Sequence, residues 1–130
     1  QMEARWDGQA RDVLMSALTG PNLHVKIAVA VDEDVDIYNA EDVLWAITCR
    51  TDPADQVHIM PGSRLHPLDI SIPEVGDEYT VMRIGGKMAI DATKPATWRS
   101  SERQKFSRVD PMGKGDPAIR KILEQVRQER

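Results

Sequence analysis

The stretch that most constrains this chain is HVKIAVAVDEDVDIYNAEDVLWAITCR, residues 24–50, which reads as a strand, an acidic turn and a helix without interruption. In an extended conformation Val25, Ile27, Val29 and Val31 fall on one face, and Lys26, Ala28 and Ala30 fall on the other. Small apolar residues on that second face predict burial on both sides, and hence a central strand. The helix is expected to begin at Asn39, whose side chain can accept a first-turn N–H. Glu41 and Asp42 then sit where the positive end of the helix dipole favours carboxylates, and Val43, Leu44 and Ile47 supply the apolar face.

The remaining segments are arranged around this unit. A helix is expected over Asp7–Thr19, with Asp7 as N-cap and Val13, Leu14, Ala17 and Leu18 at helical spacing. Gly20 and Pro21 stop it, the glycine as a left-handed cap. After residue 50, Asp52-Pro53 turns the chain into a short strand, Val57–Met60, completing a βαβ unit whose strands should lie parallel with a right-handed crossover. Pro61, Pro67 and Pro73 mark residues 61–77 as loop. Two apolar runs, Tyr79–Ile84 and Lys87–Ile90, flank Gly85-Gly86 and suit a two-residue hairpin. Asp91–Pro111 reads as irregular, with a basic run of Arg99, Arg103, Lys105 and Arg108. Asp116-Pro117 opens a final helix to about Glu129, striped by Ile119, Ile122, Leu123 and Val126. The expected fold is α/β: a small, mainly parallel sheet built on a βαβ unit, flanked by helices, with a hairpin and a C-terminal helix. The expected division is a domain over residues 1–115 and the helix over 116–130.

Length and composition exclude several classes. The 130 residues suffice for one domain with its own core, and the single cysteine, Cys49, excludes an internal disulfide or a cysteine-built zinc site. No apolar run is long enough to span a membrane and the amino terminus lacks a signal-peptide pattern, so a soluble, cytoplasmic protein is expected. Gln1 precedes Met2, which suits a chain taken from a longer protein. A net charge of −4 and a pI near 5.3 argue against a nucleic-acid-binding surface over the whole domain.

Several residues invite a chemical reading. Asp32, Asp34 and Asp36 lie at the carboxyl end of a strand, where α/β sheets place ligands, and carboxylates there can bind Mg²⁺ or Ca²⁺. An EF-hand is ruled out, because the sixth and twelfth positions from Asp32 are Ile37 and Val43 instead of Gly and Glu. The plainer reading is a turn whose carboxylates cap backbone groups. His24, His58 and His66 show no metal-ligand spacing and read as local hydrogen-bonding residues. Cys49, near the end of an amphipathic helix, reads as a small core residue. Gly85-Gly86-Lys87 lacks the spaced glycine and the Lys-Ser/Thr ending of a phosphate loop.

Three blocks in order carry a family resemblance: VDEDVDIYNAEDVLWAITCRTDPADQV (31–57), MPGSRLHPLD (60–69) and GKMAIDATKP (86–95). With the GQARDVL segment (8–14) before them, they resemble the carboxy-terminal domain of the UbiD-type aromatic acid decarboxylases over roughly residues 8–111. The resemblance implies reversible, non-oxidative decarboxylation of an aromatic or unsaturated acid with prenylated FMN, which is bound with its metal ions by a larger part of the enzyme. The family's cofactor domain and its Glu-Arg-Glu catalytic set lie upstream of the matched region. This chain alone is therefore expected to be inactive and to hold neither cofactor nor metal, because the electron sink and the proton donor are both outside it.

The same resemblance implies that this domain covers the cleft of the larger part and helps form a homo-oligomer. Its substrate-binding residues would be Pro61, Gly62, Ser63, Arg64, Leu65 and His66, together with Asp91, Ala92, Thr93, Lys94 and Pro95. Ile119, Ile122, Leu123 and Val126 would contact a partner. Two departures stand out: the stretch Ile70–Gly85 is longer than usual, and Ala89 stands where glycine is common. The alternative is a stand-alone oligomeric interaction or regulatory module that kept the fold without catalysis. A metal-dependent enzyme using Asp32, Asp34 and Asp36 is a third reading.

Overall fold

The computed structural model describes residues 1–20, 24–76 and 82–108, with residues 121 and 125. In chain order the elements are α1 (Gln9–Thr19), β1 (Ile27–Val31), α2 (Ala40–Arg50), α3 (Pro53–Gln56), β2 (Val57–Leu65), β3 (Glu74–Val75), β4 (Met82–Ala92) and α4 (Ser100–Lys105). The fold is α/β, as the sequence predicts, but its sheet is mixed. The strand order is β1-β4-β2, with β3 also on β4. β4 runs parallel to β1 and antiparallel to β2 and β3.

Two expectations change together here. Gly85-Gly86 is no hairpin turn; β4 runs straight through it, and the central strand is β4. Inserted between β1 and β2, it separates the two strands of the expected βαβ unit and leaves them antiparallel to each other. The physical reason is visible at Gly85, where a Cβ would stand 2.8 Å from Ile72 Cδ1 and 3.0 Å from Leu65 Cδ1. The missing side chain admits the neighbours that cover the sheet, a use of strand glycine the sequence does not distinguish from a turn. β2 is likewise longer than expected. It continues through Pro61 and Gly62 by a register shift between Met60 and Ser63, with Gly62 at φ 68°.

Both faces of the β1/β4 pair are covered, by one helix each. On one face Ala28, Ala30 and Ala89 pack against Ala10, Leu14 and Leu18 of α1. On the other, Val29, Val31 and Ala92 meet Val35, Val43 and Ala46. Alanines at the contact let a helix axis approach the sheet closely, and each fully buried leucine contributes about 2 kcal/mol by apolar burial. The buried stripe of α1 is Ala10, Leu14 and Leu18, whereas Val13 and Ala17 are exposed. Leu44, expected on the apolar face of α2, is also exposed, and that face is completed by Ala46. Cys49 is exposed too, not a core residue.

The caps hold in part. Asn39 accepts from the Glu41 N–H at 3.1 Å, as expected. α1 instead starts after Gly8, with Asp7 outside it, and Gly20 ends it in an extended conformation. Asp52-Pro53 opens the one-turn helix α3, and α4 lies within the stretch expected to be irregular. Pro21, Tyr79–Val81 and all of the stripe Ile119, Ile122, Leu123 and Val126 lie outside the described residues. No helix among the described residues is long and apolar enough to cross a membrane.

Candidate functional site

Parallel pairing brings the carboxyl ends of β1 and β4 side by side, from Ala30 opposite Asp91 to Val31 opposite Ala92. Beyond them the acidic turn and the Asp91–Pro95 segment therefore meet. Asp32, fully buried, accepts from the main-chain N–H of Lys94 and from the Arg103 guanidinium. That guanidinium also donates to the Pro95 carbonyl at 2.8 Å. Asp34 receives two bonds from Arg50, at 3.0 and 2.7 Å, and the Lys94 ammonium at 3.1 Å. The Arg50 guanidinium, hydrogen-bonded first and then acting through its charge, holds the Asp34 carboxyl at about 2 against partial burial, with Lys94 assisting.

Asp36 has a different task. Its carboxylate accepts from the Tyr38 N–H at 3.0 Å, and its own N–H donates to Asp42 at 2.8 Å. That bond, with Arg108 beside it, lowers the Asp42 carboxyl below its ordinary value. The three aspartates of the turn thus face separate partners, and among the described residues no cluster of His, Cys, Asp or Glu could hold a metal ion.

A cavity of about 530 Å³ opens at this end of the sheet. Asp91, Thr93, Lys94 and Pro95 form one stretch of its wall, and Arg50, Arg99, Asp52 and Asp55 are among the residues that line the rest. The wall is internally braced: Asp91 accepts from Thr93 N at 3.0 Å and Thr93 Oγ1 at 2.7 Å, and Thr51 Oγ1 donates to the Asp91 carbonyl at 3.1 Å. Ala92 is buried in the core below it.

The other expected site segment lies elsewhere. Arg64 pairs with Ile84 and Leu65 with Arg83, seven or more residues back along β4 from Asp91. At about 3.3 Å per residue that is about 23 Å of strand. Ser63 and Arg64 border a second concavity of about 270 Å³, with Met60, Gly20 and Lys87. Leu65 is buried under Gly85, and His66 Nδ1 accepts from Leu68 N at 3.1 Å while its ring lies 4.4 Å from that of His24. Pro61 and Gly62 form the strand irregularity. Within one chain, then, Pro61–His66 and Asp91–Pro95 do not converge.

Sequence reasoning missed Arg50, Arg103 and Lys87. Arg50 is almost wholly buried, lies 4.7 Å over the Trp45 ring and donates to the Phe106 carbonyl at 3.2 Å. Its one sequence signal is a basic residue in the last turn of α2. Arg103 reads in sequence as one member of a basic run. Lys87, also buried, donates to the Leu18 carbonyl at 2.7 Å, placing a positive charge at the carboxyl end of α1.

Residues 1–92 match the family described as the 3-octaprenyl-4-hydroxybenzoate carboxy-lyase C-terminal domain. An uncharacterized protein of Archaeoglobus fulgidus is 38% identical over 99 residues, 75% of this chain and 19% of its own length. Among solved structures, vanillic acid decarboxylase of Sedimentibacter hydroxybenzoicus in closed form is 31% identical with a TM-score of 0.69, over 96% of this chain and 25% of that one. The UbiD-class enzyme HmfF of Pelotomaculum thermopropionicum, in complex with FMN, is 28% identical with a TM-score of 0.67, over 92% and 23%. The chain thus spans 19–25% of the length of these relatives.

The residues around the larger cavity do not fit a flavin phosphate. Arg50 and Lys94 are both engaged by Asp34, and Arg99 lies against Asp7 and Glu102. Carboxylates make up much of the remaining polar lining and would repel a phosphate.

Proposed function

We propose a function from one established premise: this chain belongs to the family of 3-octaprenyl-4-hydroxybenzoate carboxy-lyase C-terminal domains. Our reading is that it serves as the C-terminal domain or small subunit of a UbiD-like enzyme, one that reversibly and non-oxidatively decarboxylates an aromatic or unsaturated acid. The observation that carries it is the joint match to that family, over residues 1–92, and to the vanillic acid decarboxylase structure, over 96% of this chain and 25% of that one. Prenylated FMN, its metal ions and the Glu-Arg-Glu set belong to the larger part in this reading, so the chain is inactive alone.

Its contribution is to shape the substrate pocket and to assemble the enzyme. Asp91–Pro95 is the segment best suited to a pocket wall, since it stands at the carboxyl ends of parallel strands on a braced main chain. Pro61–His66 then faces a different part of the assembly, and Ile119, Ile122, Leu123 and Val126 are the residues proposed to contact a partner subunit.

The test is recovery of this chain from its native cell extract, with mass analysis of what accompanies it and an absorbance spectrum for flavin. A larger flavoprotein, or a longer polypeptide containing both parts, with decarboxylase activity supports the reading. Recovery of a colourless oligomer of this chain alone overturns it in favour of a repurposed interaction module.

A further inference from the structure

The wall formed by Asp91–Pro95 is held from outside by two carboxylates of the acidic turn, and they hold it differently. Asp32 grips main chain, through the Lys94 N–H, and is linked through Arg103 to the Pro95 carbonyl. Asp34 grips a side chain, the Lys94 ammonium, while Arg50 occupies both of its oxygens. Arg50 is itself fixed by the Trp45 ring and the Phe106 carbonyl, so Asp34 has little freedom to move. One aspartate therefore sets where the wall's backbone runs, and the next but one sets where its only ammonium lies.

We propose that Asp32 and Asp34 are positioning residues for the Asp91–Pro95 wall, with Asp34 acting on substrate through Lys94. This rests on the reading above that the wall faces substrate. The acidic turn, which as sequence reads more plainly as a capping turn than as a metal site, is in this account the part that aligns the neighbouring strand end. Both aspartates lie outside the lining of the cavity, so neither needs to touch the ligand to affect it.

The experiment uses the complete enzyme that carries this chain, with Asp34→Asn, Lys94→Met and the double substitution. Steady-state kinetics and hydrogen exchange of the peptide covering residues 91–96 are measured on each, with Asp32→Asn followed by exchange. We expect Asp34→Asn to lower kcat/KM roughly tenfold in the parent, as small misplacements at a site do, and less than about twofold once Lys94→Met is present. Exchange of the 91–96 peptide should quicken in both aspartate variants. Asp34→Glu, which keeps the charge on a longer side chain, should restore part of kcat/KM and supplies a folded comparison should Asp34→Asn unfold.

Equal losses from Asp34→Asn with and without Lys94 would overturn the action through Lys94. Unchanged exchange in both aspartate variants would overturn the positioning role itself. Should Lys94→Met leave kcat/KM intact while exchange still quickens, the aspartates position the wall as inferred. The reading that fails is then that the wall faces substrate.

Discussion

The two adjacent glycines of β4 offer a direct test of the topology, because a turn and a continuous strand demand opposite responses to alanine. In a two-residue hairpin turn both positions favour positive φ, and alanine at either would be strained. In β4 neither glycine has a positive φ, so only local space decides. A Cβ at Gly86 would meet Ile59 Cγ2 at 3.9 Å and the Met60 carbonyl at 4.0 Å, ordinary contact distances. Gly86→Ala should therefore stabilise by about 0.5–1 kcal/mol, chiefly by restricting the unfolded chain.

At Gly85 the same methyl would stand 2.8 Å from Ile72 Cδ1 and 3.0 Å from Leu65 Cδ1, and Leu65 is buried. Ile72 lies on a loop and can yield, while Leu65 in the strand cannot easily do so. Overpacking of this kind costs about 1–3 kcal/mol, which outweighs the entropic gain and leaves Gly85→Ala destabilised by about 1–2 kcal/mol. Urea unfolding followed by circular dichroism resolves both shifts, and an unchanged denaturant slope would confirm that the midpoints report stability. Comparable destabilisation by both variants would refute the strand and restore the turn.

Other consequences concern the acidic turn and the caps. The Asp34 carboxyl sits at about 2 against an ordinary 3.8, and with about a third of the side chain exposed, screening leaves about 1–2 kcal/mol of stabilisation at neutral pH. Because the folded value is the lower one, that contribution is complete above about pH 4 and is lost as pH falls through 2. Asp34→Asn should accordingly be less stable than the parent at pH 7, with the two acid-unfolding curves converging toward pH 2. Asn39→Ala removes the bond to the Glu41 N–H and should lower stability by about 1 kcal/mol in the same urea assay, with Asn39→Asp close to neutral.

What the sequence made legible was local. The strand, turn and helix of residues 27–50 follow from alternation, a cap residue and a helical apolar pattern, and each signal is read within a few positions of where it acts. The strand order was not legible. Placing β4 between β1 and β2 depends on contacts between residues 57–65 and 82–92, and a Gly-Gly pair carries the same local signal whether it turns the chain or admits a neighbour. Burial on both faces of β1 was correctly expected from its alanines, yet among the described residues β1 pairs with β4 alone. An edge strand and a central strand look alike in sequence when a helix covers each face, because face burial and edge pairing are independent.

The site divides along the same line. That the acidic turn lies at the carboxyl end of a parallel strand was readable, although the parallel partner is β4 and not β2. The identity of what the carboxylates hold was not, since Asp34 finds Arg50 and Lys94, and Asp32 finds Arg103, across long separations in sequence. The resemblance supplied two candidate segments without their geometry. Antiparallel pairing of β2 with β4 sends Pro61–His66 to one end of the sheet and leaves Asp91–Pro95 at the other. Ser63 and Arg64, opposite Gly85 and Ile84, stand about 20 Å or more of strand from Asp91, so their side chains and the wall do not line one small cavity within a single chain. In the function proposed above the two segments serve different surfaces of one enzyme: the braced wall at the carboxyl ends of β1 and β4 is proposed to face the ligand, and the far end of β2 another part of the assembly.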